Sequence, residues 1–141
     1  MDTVSAERRS EIMRRIRSKN TNPELLVRSS LHKLGLRFRV HYSDLPGRPD
    51  IVFPRRRICI FVHGCFWHGC TRCIDGRRRV KSKAAYWRAK IAGNRRRDRR
   101  SLASLRRQGW RVFVIWGCQV DDPRRLRRFA ERIAGHFSKP I

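Results

Sequence analysis

The fold class this 141-residue sequence predicts is α/β: a single domain with a central mixed sheet, flanked by helices and braced by a structural metal site. Three observations lead there. Short β-branched runs alternate with amphipathic helical stretches along the whole chain. Five cysteines, odd in number and without a secretion signal, indicate reduced thiols and a metal rather than disulfides. The length suits one hydrophobic core and not two, so residues 1–141 read as one unit.

Taken in order, Ser5 to Arg17 places Ile12, Met13 and Ile16 at helical spacing among charges, which reads as a short helix within an N-terminal arm, residues 1–20. Asn22, Pro23 and Glu24 form a start signal, with Asn as cap, Pro at the first helical position and an acid in the first turn. The helix they open carries Leu25, Leu26, Leu31 and Leu34 as its apolar stripe and stops at Gly35. Three strands follow as a meander, Arg37 to His41, Ile51 to Phe53 and Ile58 to His63, with Leu45 to Pro49 as a turn. A Cys/His loop and a basic loop at 77–79 lead to a helical stretch from Ala84 to Ile91 and an Arg-rich helix from Arg95 to Gln108, ended by Gly109. Arg111 to Trp116 reads as a buried strand, and Trp110 and Trp116 as core residues. Asp122 and Pro123 open a final helix, with residues 135–141 expected to fray.

Charge defines the partner. Lys and Arg number 36 against 11 Asp and Glu, a formal charge of +25 and a pI of about 11.8. Such self-repulsion calls for a polyanion, and the excess is mostly Arg, whose planar fork grips phosphate oxygens in pairs. Nucleic acid is therefore expected, with the N-terminal arm among the contacts. No apolar run approaches a membrane span, and no membrane partner is expected.

The densest chemistry lies between Phe61 and Cys73. Cys65, Cys70 and Cys73, joined by the distant Cys118, supply four soft ligands suited to tetrahedral Zn²⁺. Cys59, within an apolar strand, reads as core. Asp50 begins a strand in a chain poor in acids, a position from which a carboxylate can hold Mg²⁺ with water and phosphate oxygens completing the shell. His63 and His68 flank the thiol cluster and read as acid/base groups. Asp98 either fixes one of these imidazoles or is an ordinary ion pair on its helix.

Four segments carry a family resemblance: Leu45-Pro-Gly-Arg-Pro-Asp-Ile-Val52, Phe61-Val-His-Gly-Cys-Phe-Trp-His68, Tyr86 to Asn94 followed by Arg97 and Asp98, and Gly109 to Cys118. In order and spacing they resemble the motifs of the very-short-patch-repair DNA mismatch endonucleases, from about Met13 to Cys118. The resemblance implies a fold related to type II restriction endonucleases, a structural zinc, and Mg²⁺-dependent nicking 5′ to the thymine of T:G mismatches that arise from 5-methylcytosine deamination. It makes Asp50 the magnesium ligand, with the Val62 backbone beside it, assigns His63 and His68 to catalysis with Asp98 supporting His63, and matches Glu24 to an acidic position linked to activity. Phe66, Trp67 and Trp87 match aromatics that wedge into the duplex. Val62 replaces a Thr of the best-known members, and Cys70 or Cys73 stands where others use His.

The resemblance also implies a monomer acting on double-stranded DNA in the bacterial cytoplasm, functionally linked to a cytosine-5 DNA methyltransferase and to general mismatch-repair proteins. Two alternatives remain open on the residues: a restriction-type or branched-DNA nuclease of the same fold, and a non-catalytic zinc-containing DNA-binding module.

Overall fold

Residues 22–68, 70 and 83–137 are described by the computed structural model. Helix α1 spans Asn22–Lys33 and strand β1 Arg39–Val40. Strand β2, Ile51–Phe53, is joined by a 3₁₀ turn at Pro54–Arg56 to β3, Ile58–His63. Helix α2, Cys65–His68, follows, then α3, Ala84–Arg107, strand β4, Arg111–Trp116, and helices α4, Gly117–Val120, and α5, Pro123–Gly135. The strands form one sheet in the order β1-β2-β3-β4. The first two pairings are antiparallel, as a meander requires, whereas β3 and β4 run parallel from Ile58↔Arg111 to His63↔Trp116.

Strand alternation assigns the side chains to two faces. One buries Ile51, Phe53, Ile58, Ile60, Phe113 and Ile115 with Val27 and Leu31 of α1, Val120 of α4 and Ala130 and Ile133 of α5. The other buries Val52, Cys59 and Phe61 against Leu105 of α3, with Leu102, Trp110, Val112 and Val114 packed around them. A mixed sheet between helices on both faces is the expected α/β arrangement. Because β3 and β4 are parallel, both deliver their C-terminal residues, His63 and Trp116, to the same end of the sheet, where functional groups of open α/β sheets gather.

Several boundaries differ from the sequence reading for physical reasons. In α1 the buried positions are Glu24, Val27 and Leu31. Leu25, Leu26 and Leu34 are exposed, so the apolar stripe lies one residue around the helix from the one expected. The two helices anticipated at 84–91 and 95–108 are one helix of 24 residues. Gly93 weakens a helix but does not break it, and Asn94 turns its side-chain oxygen outward to accept from Arg97 at 2.9 Å. Strand β1 is two residues long instead of five. At the C-terminal end α5 runs to Gly135, and Phe137 packs edge-on against Phe53 with ring centroids 4.9 Å apart, beneath the Arg56 guanidinium. The single-turn helix α2 replaces the start of the Cys/His loop, and α4 fills a stretch to which the sequence reading assigned no element. The start of α5 is as read, with the Asp122 side chain accepting from Arg124 N–H at 3.0 Å and Pro123 in the first turn. The expected helix at 5–17, the basic loop at 77–79 and residues 138–141 lie outside the described residues.

Candidate functional site

The turn before β2 sets the position of Asp50. Gly47 adopts φ +73, and a Cβ there would lie 2.7 Å from the Ser101 Cβ of α3 and 3.2 Å from the Phe61 ring. Only glycine fits, so the turn lies directly against α3. Asp50 then bonds across to β3 twice: its N–H donates to the Ile60 carbonyl at 3.0 Å, and its Oδ2 accepts from Val62 N–H at 2.7 Å. Glu24, buried in the first turn of α1, reaches the same place. Burial pushes the Asp50 carboxyl up to about 7, opposed by the Val62 hydrogen bond and reinforced by the charge of Glu24 and a hydrogen bond to it. Two carboxylates that resist joint ionisation form a site that favours a cation. The fit for a hard divalent ion rests on this donor set of carboxylate oxygens.

A second cluster lies next to the first. His63 and Trp116, paired in register and on the α3 face, meet His68 from α2 and Asp98 from α3. The two imidazoles stack with centroids 4.0 Å apart and planes 4° from parallel, and the Trp116 ring stands edge-on to His63 at 5.0 Å. Asp98 Oδ2 lies 2.6 Å from His68 Nδ1. The carboxylate supports His68, therefore, and not His63 as the resemblance implied. Burial alone raises the Asp98 carboxyl, but the hydrogen bond and charge of His68, with His63 and Arg97, outweigh it and hold the group below the usual carboxylate range. An ionised carboxylate only accepts, so Nδ1 of His68 carries a proton, and it is Nε2 that exchanges its proton when the ring changes charge. Burial, with the neighbouring His68 charge, lowers His63 to about 4, against the pull of Asp98, which keeps the ring neutral. Its Nδ1 is buried with no partner among the described residues. Asp50 is close enough for the charge of His68 to act on it.

A third cluster lies where α2 and α4 leave the strands. Sulfur atoms of Cys65, Cys70 and Cys118 lie within 4.8 Å of one another. Cys118 N–H donates to the Cys65 sulfur at 3.3 Å, and Cys70 N–H to the Cys65 carbonyl at 2.9 Å. Cys65 opens α2 directly after β3, and Cys118 sits in α4 directly after β4, whose entry is closed by Gln119 Oε1 accepting from Trp116 N–H at 2.9 Å. Three converging thiols fit a soft metal, which would tie together the ends of the parallel strands. The fourth ligand read from the sequence, Cys73, lies outside the described residues.

Among the residues read from the sequence, Glu24, Asp50 and Val62 come together, as do His63, His68 and Asp98, and as do Cys65, Cys70 and Cys118. Phe66 and Trp67 belong to α2, but their side chains lie outside the description. Trp87 is half-buried in the first turn of α3, edge-on to Tyr86 at 5.2 Å. Cys59 is fully buried, and burial pushes its thiol up to about 12 despite Arg106 nearby, as befits a core residue. Trp110 packs on the α3 side of the sheet as read. Trp116 does not belong to the core: it is half-buried and helps to wall a cleft of about 540 Å³ with His63, His68, Asp98, Arg99 and Arg132. Sequence reasoning missed it, together with Arg95, Arg99, Gln119 and Arg132 of the same cleft.

Comparison with known proteins gives a consistent picture. A family model described as DNA mismatch endonuclease Vsr matches residues 1–73. A type II nicking enzyme of Xanthomonas oryzae pv. oryzae, V.XorIIP, is 55% identical over 86% of this chain and 88% of its own length. The Neisseria meningitidis nicking enzyme V.NmeAIP is 36% identical over 99% of both chains. The DNA mismatch endonuclease Vsr of Escherichia coli is 40% identical over 84% of this chain and 74% of that protein.

Proposed function

The chain belongs to the family of Vsr DNA mismatch endonucleases, and from that premise we propose that it nicks one strand of duplex DNA on the 5′ side of the thymine in a T:G mismatch, by Mg²⁺-dependent phosphodiester hydrolysis. The observation that carries the reading is the His68–Asp98 hydrogen bond beside the buried Asp50 and Glu24 pair. Asp50, with Glu24 and the Val62 backbone next to it, would hold magnesium, which supplies charge stabilisation at the scissile phosphate and at the leaving oxygen.

The remaining chemistry belongs to the side chains. Asp98 holds His68 in the tautomer whose Nε2 takes the proton of the attacking water. His63, kept neutral by burial, offers hydrogen bonding to the phosphate without competing for the proton. Water attack at phosphorus breaks the bond to the 3′ oxygen, which takes up a proton from solvent as His68 later releases its own, leaving a 5′-phosphate and a 3′-hydroxyl. Zinc on Cys65, Cys70, Cys73 and Cys118 has a structural role, fixing α2 and with it His68. Phe66, Trp67 and Trp87 act as the wedge that opens the base step beside the mismatch, an unstacking of a few kcal/mol that a T:G wobble resists less than a Watson–Crick pair. The fold is of the restriction-endonuclease kind, and the protein works as a monomer in the bacterial cytoplasm. Its substrate is what deamination leaves after a cytosine-5 DNA methyltransferase has acted, which links it functionally to that enzyme and to mismatch-repair proteins.

The test compares nicking of otherwise identical T:G and T:A duplexes with and without Mg²⁺. Wild type should cut the T:G substrate in the thymine strand, and Asp50→Asn should bind it undiminished while cutting at least about a hundredfold more slowly, the scale on which loss of a key electrostatic group is felt. Equal cutting of T:A would point to a nuclease with another substrate. Binding without cutting by wild type would point to a DNA-binding module.

A further inference from the structure

Helix α3 carries a second charged surface that the catalytic clusters do not use. Beyond the cleft, Arg96, Arg99, Arg100, Ala103, Ser104 and Arg107 line a shallow groove along one side of the helix. Their spacing of three and four residues sets them on a single face, opposite the buried Leu105. All four guanidiniums are exposed. Between them Ala103 and Ser104 are short, which keeps the middle of the groove low.

A solvated helix face would ordinarily mix the two signs of charge. Here it does not. Asp98 is the only acid in all 24 residues of α3, and it is engaged with His68. Arg96 stands one turn from both Arg99 and Arg100, at i,i+3 and i,i+4, positions at which like charges destabilise a helix. Among the described residues no acid is paired with the row, which is thus internally repulsive and open to relief by an external anion. It is also continuous with the candidate site, because Arg99 lines both the cleft and the groove. From Arg99 the row leads away: α3 reverses at Gly109 into β4, which returns to the cleft at Trp116, so Arg107 stands toward the opposite end of the sheet.

We infer that this face of α3 is a phosphate rail that grips the sugar–phosphate backbone of the duplex on one side of the cleavage position, giving the protein a lopsided footprint. The inference rests on duplex DNA being the substrate and adds where, and on which side, the flank is held. At 1.5 Å per residue, the eight helical steps from Arg99 to Arg107 span about 12 Å. With an axial rise of about 3.4 Å per base pair, that covers roughly three to four base pairs of flank. A run of regularly spaced guanidiniums over so short a distance suits a continuous backbone better than a single anion.

The experiment measures equilibrium binding of the zinc-loaded protein to T:G duplexes across a salt series. Each lost phosphate contact reduces the log–log salt slope by about 0.9, so Arg100→Gln/Arg107→Gln should lower it by roughly two and Arg96→Gln by roughly one. Lengthening the duplex by about four base pairs on one side of the nick should strengthen wild-type binding several-fold, lengthening it on the other side should not, and the double variant should lose the gain. The nicking rate at saturating DNA should be unchanged, since none of these three side chains lines the cleft. An unaltered salt slope in the double variant, or equal gains from both flanks, overturns the rail. Should wild type bind with the expected slope and asymmetry yet fail to nick, the rail stands and the catalytic reading falls.

Discussion

Asp50 is held by opposing forces: burial and the Glu24 carboxylate favour its protonated form, while one short hydrogen bond from Val62 favours the anion. Its folded pKa of about 7 lies above the ordinary 3.8, so whatever stability the group contributes is full below about pH 4 and is lost as pH rises toward 7. A divalent cation at the carboxylates would reverse that loss by neutralising the buried charge that ionisation leaves. Adding Mg²⁺ to zinc-loaded protein should therefore raise the melting temperature at about pH 8 and do little at about pH 5, and Asp50→Asn should abolish the difference. Equal shifts at both pH values in wild type would remove Asp50 as the magnesium ligand. At this scale the sequence was legible wherever a residue type was scarce. Acids are few, which singled out Asp50, whereas Asp98 was left between an imidazole partner and an ordinary ion pair and Glu24 was tied to activity only through the resemblance. Trp116 was illegible because its strand pattern matches that of a core residue. Only the parallel register with β3 reveals that it shares a strand end with His63. Which imidazole Asp98 supports was likewise beyond the sequence, since it depends on the rotation of α3 against α2.

Among the elements, the turn at residues 45–49 has the least freedom. Gly47 combines a left-handed backbone with van der Waals contact against α3, whereas Gly35, equally left-handed at φ +78, has nothing within 4 Å of where a Cβ would stand. Gly35→Ala should cost about 1 kcal/mol from backbone strain alone, and Gly47→Ala roughly 2–4 kcal/mol because Ser101 must also give way. Urea denaturation of the two variants measures the difference, and equal losses would mean that the turn is free of α3. Strands β2, β3 and β4 were legible because their apolar runs are bounded by turn residues. Helix α3 was read as two because Gly93 and Asn94 are poor helix formers, yet the burial of Leu102 and Leu105 further along keeps the helix continuous. Helices α2 and α4 are single turns, too short to show periodicity, and each owes its place to the strand it follows.

For the molecule as a whole, a metal on the cysteines would join what the sheet pairing begins. Zinc content and stability should fall together in Cys118→Ala, while Cys59→Ala should keep its metal and lose only the few kcal/mol or less that a small buried side chain contributes. Metal analysis alongside thermal melting checks both, and a zinc-free protein with wild-type stability and activity would remove the structural metal. No described helix is long and apolar enough to cross a membrane, and the charge of +25 accords with an anionic polymer as partner. The parallel pairing of β3 with β4 has one more consequence, for the order in which the protein matures. Cys118 follows Cys65 by 53 residues, so Asp50, His63 and His68 leave the ribosome well before the strand that walls their cleft. Contacts between such distant parts of a chain form late in folding. Cutting competence thus appears only after most of the chain has been synthesised, a latency that strand order provides without an inhibitor.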